Sequence, residues 1–201
     1  RNVTGVQTCA LPIYNHGTLD ALDQLAAQRD LPAPESVDRI EVDTYNLAAE
    51  LNDPAPANTL AAKFSVPFAV ATRLVNRSSA LSSFTWEAVR SPAVLGLAQR
   101  VVVRHDPAMT ARLPMERPAR VALYLTTGEV LVAQAGVNRG DDAAPYTRTE
   151  LRTKFLDLTS RIWPQAHCET LLEATLALSR RAVQLPDWLG LLERQPLGAA
   201  R

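Results

Sequence analysis

The chain has 201 residues, of which 47% are apolar and 21% charged, and its formal net charge is zero. This is the composition of a globular protein with one sizeable core, and it excludes disordered, fibrous and membrane-spanning proteins. Basic and acidic residues number 21 each, so no overall positive charge attracts the chain to nucleic acid. No apolar run reaches the roughly 18 residues that cross a bilayer, and no secretion signal is visible. We expect neither nucleic acid nor a membrane as a partner.

Cysteine and histidine usage limits redox and metal chemistry. Cys9 and Cys168 are too few for a disulfide framework, and neither has a second cysteine or histidine at zinc-binding spacing. The three histidines, His16, His105 and His167, are far apart in the sequence. We therefore expect a reducing, cytoplasmic setting, no metal and no other cofactor, with any chemistry carried by residues that the fold brings together.

The first predicted elements are a helix and a strand. Apolar residues recur on one helical face from Gly17 onward, and Pro32 and Pro34 end this helix. Over residues 37–45 the pattern changes to strict alternation, which is typical of a half-buried strand. The alternation predicts two opposite faces, one with Ile40, Val42 and Thr44 and the other with Arg39, Glu41, Asp43 and Tyr45.

The next predicted elements are a buried helix, a short helix and a second strand. Residues 60–75 are apolar nearly all round, and we expect the regular helix to begin near Ser65, so that Pro67 falls in its first turn. After a serine-rich loop, a short helix precedes a strand over residues 100–104.

The second half begins with the clearest local pattern, a β-hairpin. Alternating residues run from Val121 to Leu125, Thr127–Gly128 turns the chain, and the alternation returns over residues 130–132. Thr147 and Glu150 then form a capping-box pattern before a helix that Pro164 ends, and two further helices are predicted over 168–183 and 187–193. This order predicts an α+β fold, with a mainly antiparallel sheet and helices packed on one face.

Three stretches resemble one family. The segment "AAKFSVPFAVATRLV" is similar to the K-F-S-L/I-P-Y-A-V/I-A stretch of the MmgE/PrpD family, and "HGTLDALDQL" is similar to its H-x-x-I-D-A-L/I helix opening. The hairpin and the loop after it, "VALYLTTGEVLVAQAGVNRGDDAAPYTRTELRTKF", resemble the family's strand, turn and strand, followed by R/K-G-D-x-x-x-P and E-L-x-x-K-F. Together these stretches cover most of residues 14–165 in the family's order.

The resemblance implies an enzyme and a domain organisation. Members include 2-methylcitrate dehydratase, cis-aconitate decarboxylase and an iminodisuccinate epimerase, which are cofactor-independent lyases or isomerases of small di- or tricarboxylates and are typically homodimers. The family pairs a large helical domain with a smaller α+β domain. Residues 14–165 resemble the α+β domain, and residues 166–201 resemble the last helices, which return to the helical domain. We expect this fragment alone to be inactive, because most of the helical domain is missing from it.

Three site residues follow from the resemblance. His16 corresponds to the histidine that lines the family's cleft, where imidazole can carry a proton near neutral pH; the alternative is that it hydrogen-bonds the start of a helix. Lys63 can offer its ammonium group to a substrate carboxylate, or it can be a solvated helix-edge lysine. Phe68 replaces a tyrosine that is common in the family and is either a pocket wall or a core aromatic; it has no hydroxyl group with which to contact a substrate.

The first 13 residues are expected to be foreign to the fold. The stretch "VTGVQTCALPI", residues 3–13, is the direct translation of the end of a common sequencing-library adapter, and the codon of Tyr14 begins with the adapter's next base. We therefore interpret residues 1–13 as an assembly artefact and expect them to be poorly packed.

A second function remains open beside the enzyme. The protein can instead be a non-catalytic α+β ligand-binding or dimerisation module, which the phenylalanine at position 68 favours. Within the enzyme hypothesis, the sequence does not distinguish dehydration, decarboxylation and epimerisation, and it does not identify the acid.

Overall fold

A computed structural model describes residues 11–178 and 180–194. These residues form two units, divided between Pro145 and Tyr146, and each unit has an apolar core of its own. The domain boundary predicted at 165/166 rests on the family resemblance and stays a prediction.

The first unit contains a four-stranded sheet in the order β2-β1-β3-β4. Its strands are β1 (Val37–Thr44), β2 (Val101–His105), β3 (Ala119–Leu125) and β4 (Val130–Ala135). The pairs β1–β3 and β3–β4 are antiparallel, whereas β1–β2 is parallel. A parallel pair needs a long crossover connection, and the helices between β1 and β2 provide it. The predicted α+β class with a mainly antiparallel sheet is confirmed.

Long and short helices connect and cover these strands. In the described residues they are α1 (His16–Gln28), α2 (Asn46–Ala49), α3 (Thr59–Lys63), α4 (Val66–Val75), α5 (Trp86–Val89), α6 (Pro92–Ala98) and α7 (Pro107–Thr110). The helices α2, α5 and α7 are single turns that no sequence pattern predicts, because four residues are too few to show a helical period.

The core of the first unit lies between the sheet and helices α1, α4 and α6. Ile40 pairs with Leu123, which pairs with Leu131, so these side chains lie in one row on the inner face of the sheet. Val42 lies on the same face, and both it and Ile40 are fully buried, as their alternation predicts. Leu22 of α1 and Val70 of α4, also fully buried, belong to the same apolar cluster.

The break between α3 and α4 is set by Ser65. Its hydroxyl accepts a hydrogen bond from the backbone N–H of Phe68 (3.0 Å) and donates one to the backbone carbonyl of Asp53 (2.5 Å). Pro67 falls in the first turn of α4, where a missing N–H costs nothing. The predicted start near Ser65 is confirmed.

The second unit consists of α8 (Arg148–Thr159), α9 (Gln165–Leu178) and α10 (Leu185–Leu192). The predicted capping box is present at Thr147 and Glu150. His167 joins α9 to the end of α10: its Nε2 lies 2.9 Å from the carbonyl oxygen of Leu191, and its Nδ1 lies 3.1 Å from the guanidinium group of Arg194. This buried histidine therefore has structural partners on both ring nitrogens.

The prediction for residues 1–13 falls mostly on residues 1–10, which lie outside the described residues. Leu11 and Pro12 are half-buried, and Leu11 packs against the core of the first unit. Ile13 is exposed and opens the 3₁₀ turn Ile13–Asn15 that precedes α1. As for membranes, none of the helices in the described parts of the chain combines the length and hydropathy that a bilayer crossing requires.

Candidate functional site at the start of α1

His16 is the first residue of α1 and is half-buried. Its Nε2 lies 3.3 Å from the backbone carbonyl oxygen of Leu11. A carbonyl oxygen only accepts hydrogen bonds, so Nε2 carries the ring proton in the neutral form and Nδ1 keeps a lone pair. The side chain is thereby oriented as a potential proton acceptor, and the contact uses a backbone group that any residue at position 11 provides.

Lys63 is brought close to this helix start. It is the last residue of α3 and is only 6% exposed, unlike a solvated surface lysine. Its backbone carbonyl accepts a hydrogen bond of 2.7 Å from the side-chain amide of Asn15, the residue before His16. The structure therefore places His16 and Lys63 on adjoining segments of one unit.

Phe68 lies in the core. Its side chain is fully buried, and its ring centre is 5.9 Å from that of Phe84. Both residues belong to the apolar cluster beneath the sheet. The environment is that of a core aromatic, and the predicted role of Phe68 in substrate binding stays a prediction.

The loop after β4 is tied to α1 through Asp20. A carboxylate oxygen of Asp20 accepts a 2.7 Å hydrogen bond from the backbone N–H of Arg139, and the Arg139 guanidinium donates to the Pro145 carbonyl. Burial raises the pKa of Asp20, although the Arg139 N–H and the nearby charge of His16 act in the opposite direction. Asp20 lies one helical turn after His16, so it holds the loop beside the same end of α1.

Buried polar atoms without hydrogen-bond partners concentrate around this helix start. Among the described residues, such atoms occur on Asn15 (Oδ1), Thr18 (Oγ1), Tyr45 (OH), Asn46 (Oδ1) and Asn138 (Oδ1 and Nδ2). Asn15 and Thr18 lie at the beginning of α1, α2 packs against the 3₁₀ turn before it, and Asn138 precedes the residue that bonds Asp20. Buried polar groups are almost always paired in proteins, so this concentration marks a candidate ligand site.

The Tyr45 side chain is almost completely shielded from solvent. It is 2% exposed, its ring lies edge-on to that of Tyr14 at 6.3 Å, and its neighbours include Met109 and Leu113. Burial raises the pKa of Tyr45 to about 12 from a usual value of 10. The neutral phenol is therefore the form that the fold stabilises.

Replacing Tyr45 with Phe is expected to protect the protein at high pH. The unfolded chain loses the phenol proton near pH 10 and the folded chain only near pH 12, so the wild-type free energy of unfolding falls as pH rises through this interval. We expect the wild type to lose about 1–2 kcal/mol more than Tyr45→Phe between pH 10 and 11.5, measured by urea unfolding. At pH 7 the variant should be no less stable than the wild type, because the hydroxyl that it lacks has no partner among the described residues.

Tyr124→Phe is the matched control. The Tyr124 hydroxyl donates a 2.9 Å hydrogen bond to the Glu41 carboxylate, so removing it should cost about 1 kcal/mol at pH 7. Equal destabilisation by the two substitutions would show that the Tyr45 hydroxyl is bonded in solution.

The sequence predicts His16 and Lys63 as site residues, but it does not indicate the unpartnered polar groups near them. Asn15 precedes a histidine in a motif, but an asparagine before a helix usually indicates a cap, and Asn15 makes no cap bond here. The loop after β4 turns at Gly140, which has a φ of 98°. The same loop bonds Asp20 through the Arg139 N–H, and no local sequence pattern indicates this contact, because the two residues are far apart in the chain.

A separate open depression of about 490 Å³ lies beside α5 and α6 and is not lined by His16, Lys63 or Phe68. Its hydroxyl groups serve local structure: Thr85 and Ser91 cap α5 and α6, and Ser83 donates to the Ser78 carbonyl. The full lining is Asn76, Ser78, Ser82, Ser83, Thr85, Glu87, Ala88, Ser91 and Val94. Over residues 11–178 and 180–194, no group of three or more His, Cys, Asp or Glu side chains is placed to hold a metal ion.

The fold and the site together define an α+β domain with a buried polar cluster around one histidine. The sequence profile of the MmgE/PrpD C-terminal domain matches residues 10–179. The chain therefore belongs to the MmgE/PrpD family, and the matched part is the C-terminal domain of that family. The match includes residues 10–13, at the end of the segment predicted to be foreign. A search of curated proteins finds no match.

The family assignment made from the three stretches is confirmed. MmgE/PrpD proteins include dehydratases and decarboxylases, so the chain belongs to a family of dehydratase-like lyases.

Proposed function

We propose that this chain is the C-terminal part of a cytoplasmic, homodimeric MmgE/PrpD lyase or isomerase that acts on a small di- or tricarboxylate by general acid–base catalysis without a cofactor. His16 is the proton carrier. The chain alone has no turnover, because the other wall of the cleft belongs to the helical domain with which the family pairs this one.

The observation that carries the proposal is the position of the His16 ring. Its Nε2 lies 3.3 Å from the Leu11 carbonyl oxygen, which is an acceptor, so the tautomer that bonds this carbonyl has a lone pair on Nδ1 that can take a proton. An imidazole can perform this step near pH 7 without a metal, because its ordinary pKa is close to that pH.

The surroundings of His16 support a carboxylate substrate. A proton α to a carboxylate becomes acidic only when nearby donors and cations stabilise the negative charge that develops. Lys63 is buried on the adjoining segment, and the unpartnered Oγ1 of Thr18 and Nδ2 of Asn138 belong to groups that donate hydrogen bonds. Substrate binding would satisfy the Thr18 and Asn138 groups, which is the physical reason to place the acid at the start of α1.

The reaction class defines what this residue has to do. In a dehydration, the base takes a proton from the carbon beside a carboxylate, the C–O bond at the next carbon breaks, and the hydroxyl group leaves as water after receiving a proton. In an epimerisation the same carbon is reprotonated on its other face, and in a decarboxylation a carbanion is protonated after CO₂ leaves. All three need one group that exchanges a proton with carbon, and we assign that role to His16.

The test is an assay of the complete protein with 2-methylcitrate, cis-aconitate and related acids in deuterated water. We expect conversion of at least one acid, detected by NMR. Epimerisation or decarboxylation would leave solvent deuterium at the reacting carbon, whereas dehydration would give an unsaturated acid that has lost the proton from that carbon. The 201-residue chain should show neither conversion nor deuterium incorporation. Binding of none of these acids by the complete protein would overturn the proposal, and turnover by the chain alone would overturn the prediction that it is inactive.

The alternative is a non-catalytic ligand-binding or dimerisation module. The observation that favours it is the fully buried Phe68, which provides no hydroxyl group where the family commonly has a tyrosine. Tight binding of an acid with neither conversion nor deuterium incorporation would support the module and exclude the enzyme.

A further inference from the structure

The backbone of Arg117 lies against the start of α1. A Cβ atom built on Gly17, the residue after His16, would lie 2.6 Å from the backbone carbonyl oxygen of Arg117. Two residues further along the chain, Ala119 begins β3 and pairs with Thr44, the last residue of β1. Arg117 is therefore placed where the start of α1 meets the end of β1 and the beginning of β3.

The side chain of Arg117 is half-buried, and among the described residues no group accepts a hydrogen bond from its guanidinium or forms an ion pair with it. Every other arginine described in the first unit has a hydrogen bond, an ion pair or an aromatic ring as its partner. Arg120 pairs with Asp43, for example, and Arg100 donates to the Val37 carbonyl. A guanidinium group that has left bulk water normally regains hydrogen bonds inside the protein, so Arg117 has unused binding capacity.

The Tyr45 hydroxyl lies in the same region of the fold and is also without a hydrogen-bond partner in the described residues. Tyr45 follows Thr44, whose hydroxyl donates a 2.9 Å hydrogen bond to the carbonyl of Pro118, the residue after Arg117. The positive charge of Arg117 acts on the phenol and opposes the effect of burial on the pKa of Tyr45. The end of β1 therefore carries two unused donors, one charged and one neutral.

A carboxylate is the ligand that these donors fit. The planar guanidinium group of arginine donates two parallel hydrogen bonds to the two oxygens of a carboxylate, and a neutral phenol can add a further one. The chain does not supply this carboxylate from the adjacent position, because Glu116 is already paired with Arg112. The acceptor for Arg117 has to come from a bound molecule.

Arg117 and Lys63 approach α1 on either side of His16. The residue before His16, Asn15, donates to the Lys63 carbonyl at 2.7 Å, and the residue after it, Gly17, lies against the Arg117 carbonyl. Residues two apart at a helix start are on nearly opposite sides, because a turn contains about 3.6 residues. Two basic residues therefore flank the helix start that carries the histidine.

We propose that Arg117 binds one carboxylate of the substrate, and that the Tyr45 hydroxyl donates a hydrogen bond to the same carboxylate. This inference rests on the proposed function and specifies its substrate class. The acid carries at least two carboxylates: one next to the carbon that exchanges a proton with His16, and a second one that Arg117 holds. Arg117 is then a determinant of substrate binding and does not take part in the proton transfer.

Arg117→Gln in the complete protein tests this role by kinetics. For whichever of 2-methylcitrate and cis-aconitate the wild type converts, the variant should raise KM about tenfold or more, because charge-assisted hydrogen bonds to the acid are lost. We expect kcat to stay within about threefold of the wild type. Arg117→Lys should recover part of the KM, because lysine keeps the charge but not the two parallel donors. Arg120→Gln, which removes the nearby arginine that pairs with Asp43, is the matched control and should keep the wild-type KM.

Chemical protection of the wild-type protein provides a readout that does not depend on turnover. Phenylglyoxal modifies arginine side chains, and a bound carboxylate shields the arginine that holds it. We expect cis-aconitate or 2-methylcitrate to slow the modification of Arg117 in the complete protein, with the modified residues identified by mass spectrometry. Modification of Arg29, which is half-exposed and paired with Glu129, should proceed at the same rate with and without the acid.

The two experiments separate this inference from the proposed function. An acid that the wild type converts, and that Arg117→Gln converts with unchanged KM, would overturn the role of Arg117 and leave the proposed lyase or isomerase standing. An acid that shields Arg117 without being converted would support the carboxylate site and contradict the proposed enzyme. If neither acid shields Arg117, the carboxylate site itself is wrong.

Discussion

Replacing His16 with Gln in the complete enzyme is expected to lower kcat about 10²–10⁴-fold, the range that one general acid–base group contributes. Glutamine retains a side-chain N–H that can reach the Leu11 carbonyl, but it has no group that takes up a proton near pH 7. The KM for the acid should change much less than kcat, because binding rests on the surrounding donors. Steady-state kinetics measures both effects.

His105→Gln is the matched control for this experiment. His105 is exposed, its Nε2 lies 2.8 Å from the Thr110 hydroxyl, and it lies at the end of β2. Its replacement should leave kcat within about twofold of the wild type. If His16→Gln retains wild-type kcat, the proton carrier is another residue and the assignment of His16 fails.

The fold was largely predictable because its elements have strong local patterns. The alternation of Ile40 and Val42 with charged neighbours predicts both faces of β1, and those faces are the observed inner and outer faces. The prediction was wrong for Tyr45, because β1 ends at Thr44 and the Tyr45 side chain turns into a small apolar cluster and is buried. The hairpin was predictable from Thr127–Gly128, since Gly128 has a φ of 88° that other residues rarely adopt. The parallel pairing of β2 with β1 was not predictable, because it depends on how a long helical connection folds back.

Only the residues of the candidate site that lie in a family motif were predictable from the sequence. His16 and Lys63 were found through the family resemblance, and the structure brings their segments together through Asn15. No local pattern predicts Tyr45 or Asn138 as part of a site: the alternation assigns Tyr45 to a strand, and Asn138 follows a hairpin, as many polar loop residues do. Their burial without partners is a property of the packed chain, so it appears only when the segments that surround α1 are assembled.

Gly17→Ala is expected to destabilise the protein by about 2–3 kcal/mol, although alanine is the better helix former. Gly17 is the second residue of α1, and a Cβ atom built on it would lie 2.6 Å from the backbone carbonyl oxygen of Arg117. That segment cannot easily move, because the next carbonyl, of Pro118, accepts the Thr44 hydroxyl at 2.9 Å and β3 begins one residue later. The helix start would have to shift instead, and His16 would shift with it.

Gly96→Ala separates this steric effect from helix propensity. Gly96 lies in α6, and apart from its neighbours and the backbone of its own helix, no atom of the described residues lies within 4 Å of a Cβ built there. We expect this variant to gain about 0.5–1 kcal/mol, the ordinary benefit of alanine over glycine in a helix. Urea unfolding of the two variants should therefore give opposite signs. A stability gain in both would show that α1 does not approach the segment before β3 as closely as described, and the position of His16 at the start of α1 would then need revision.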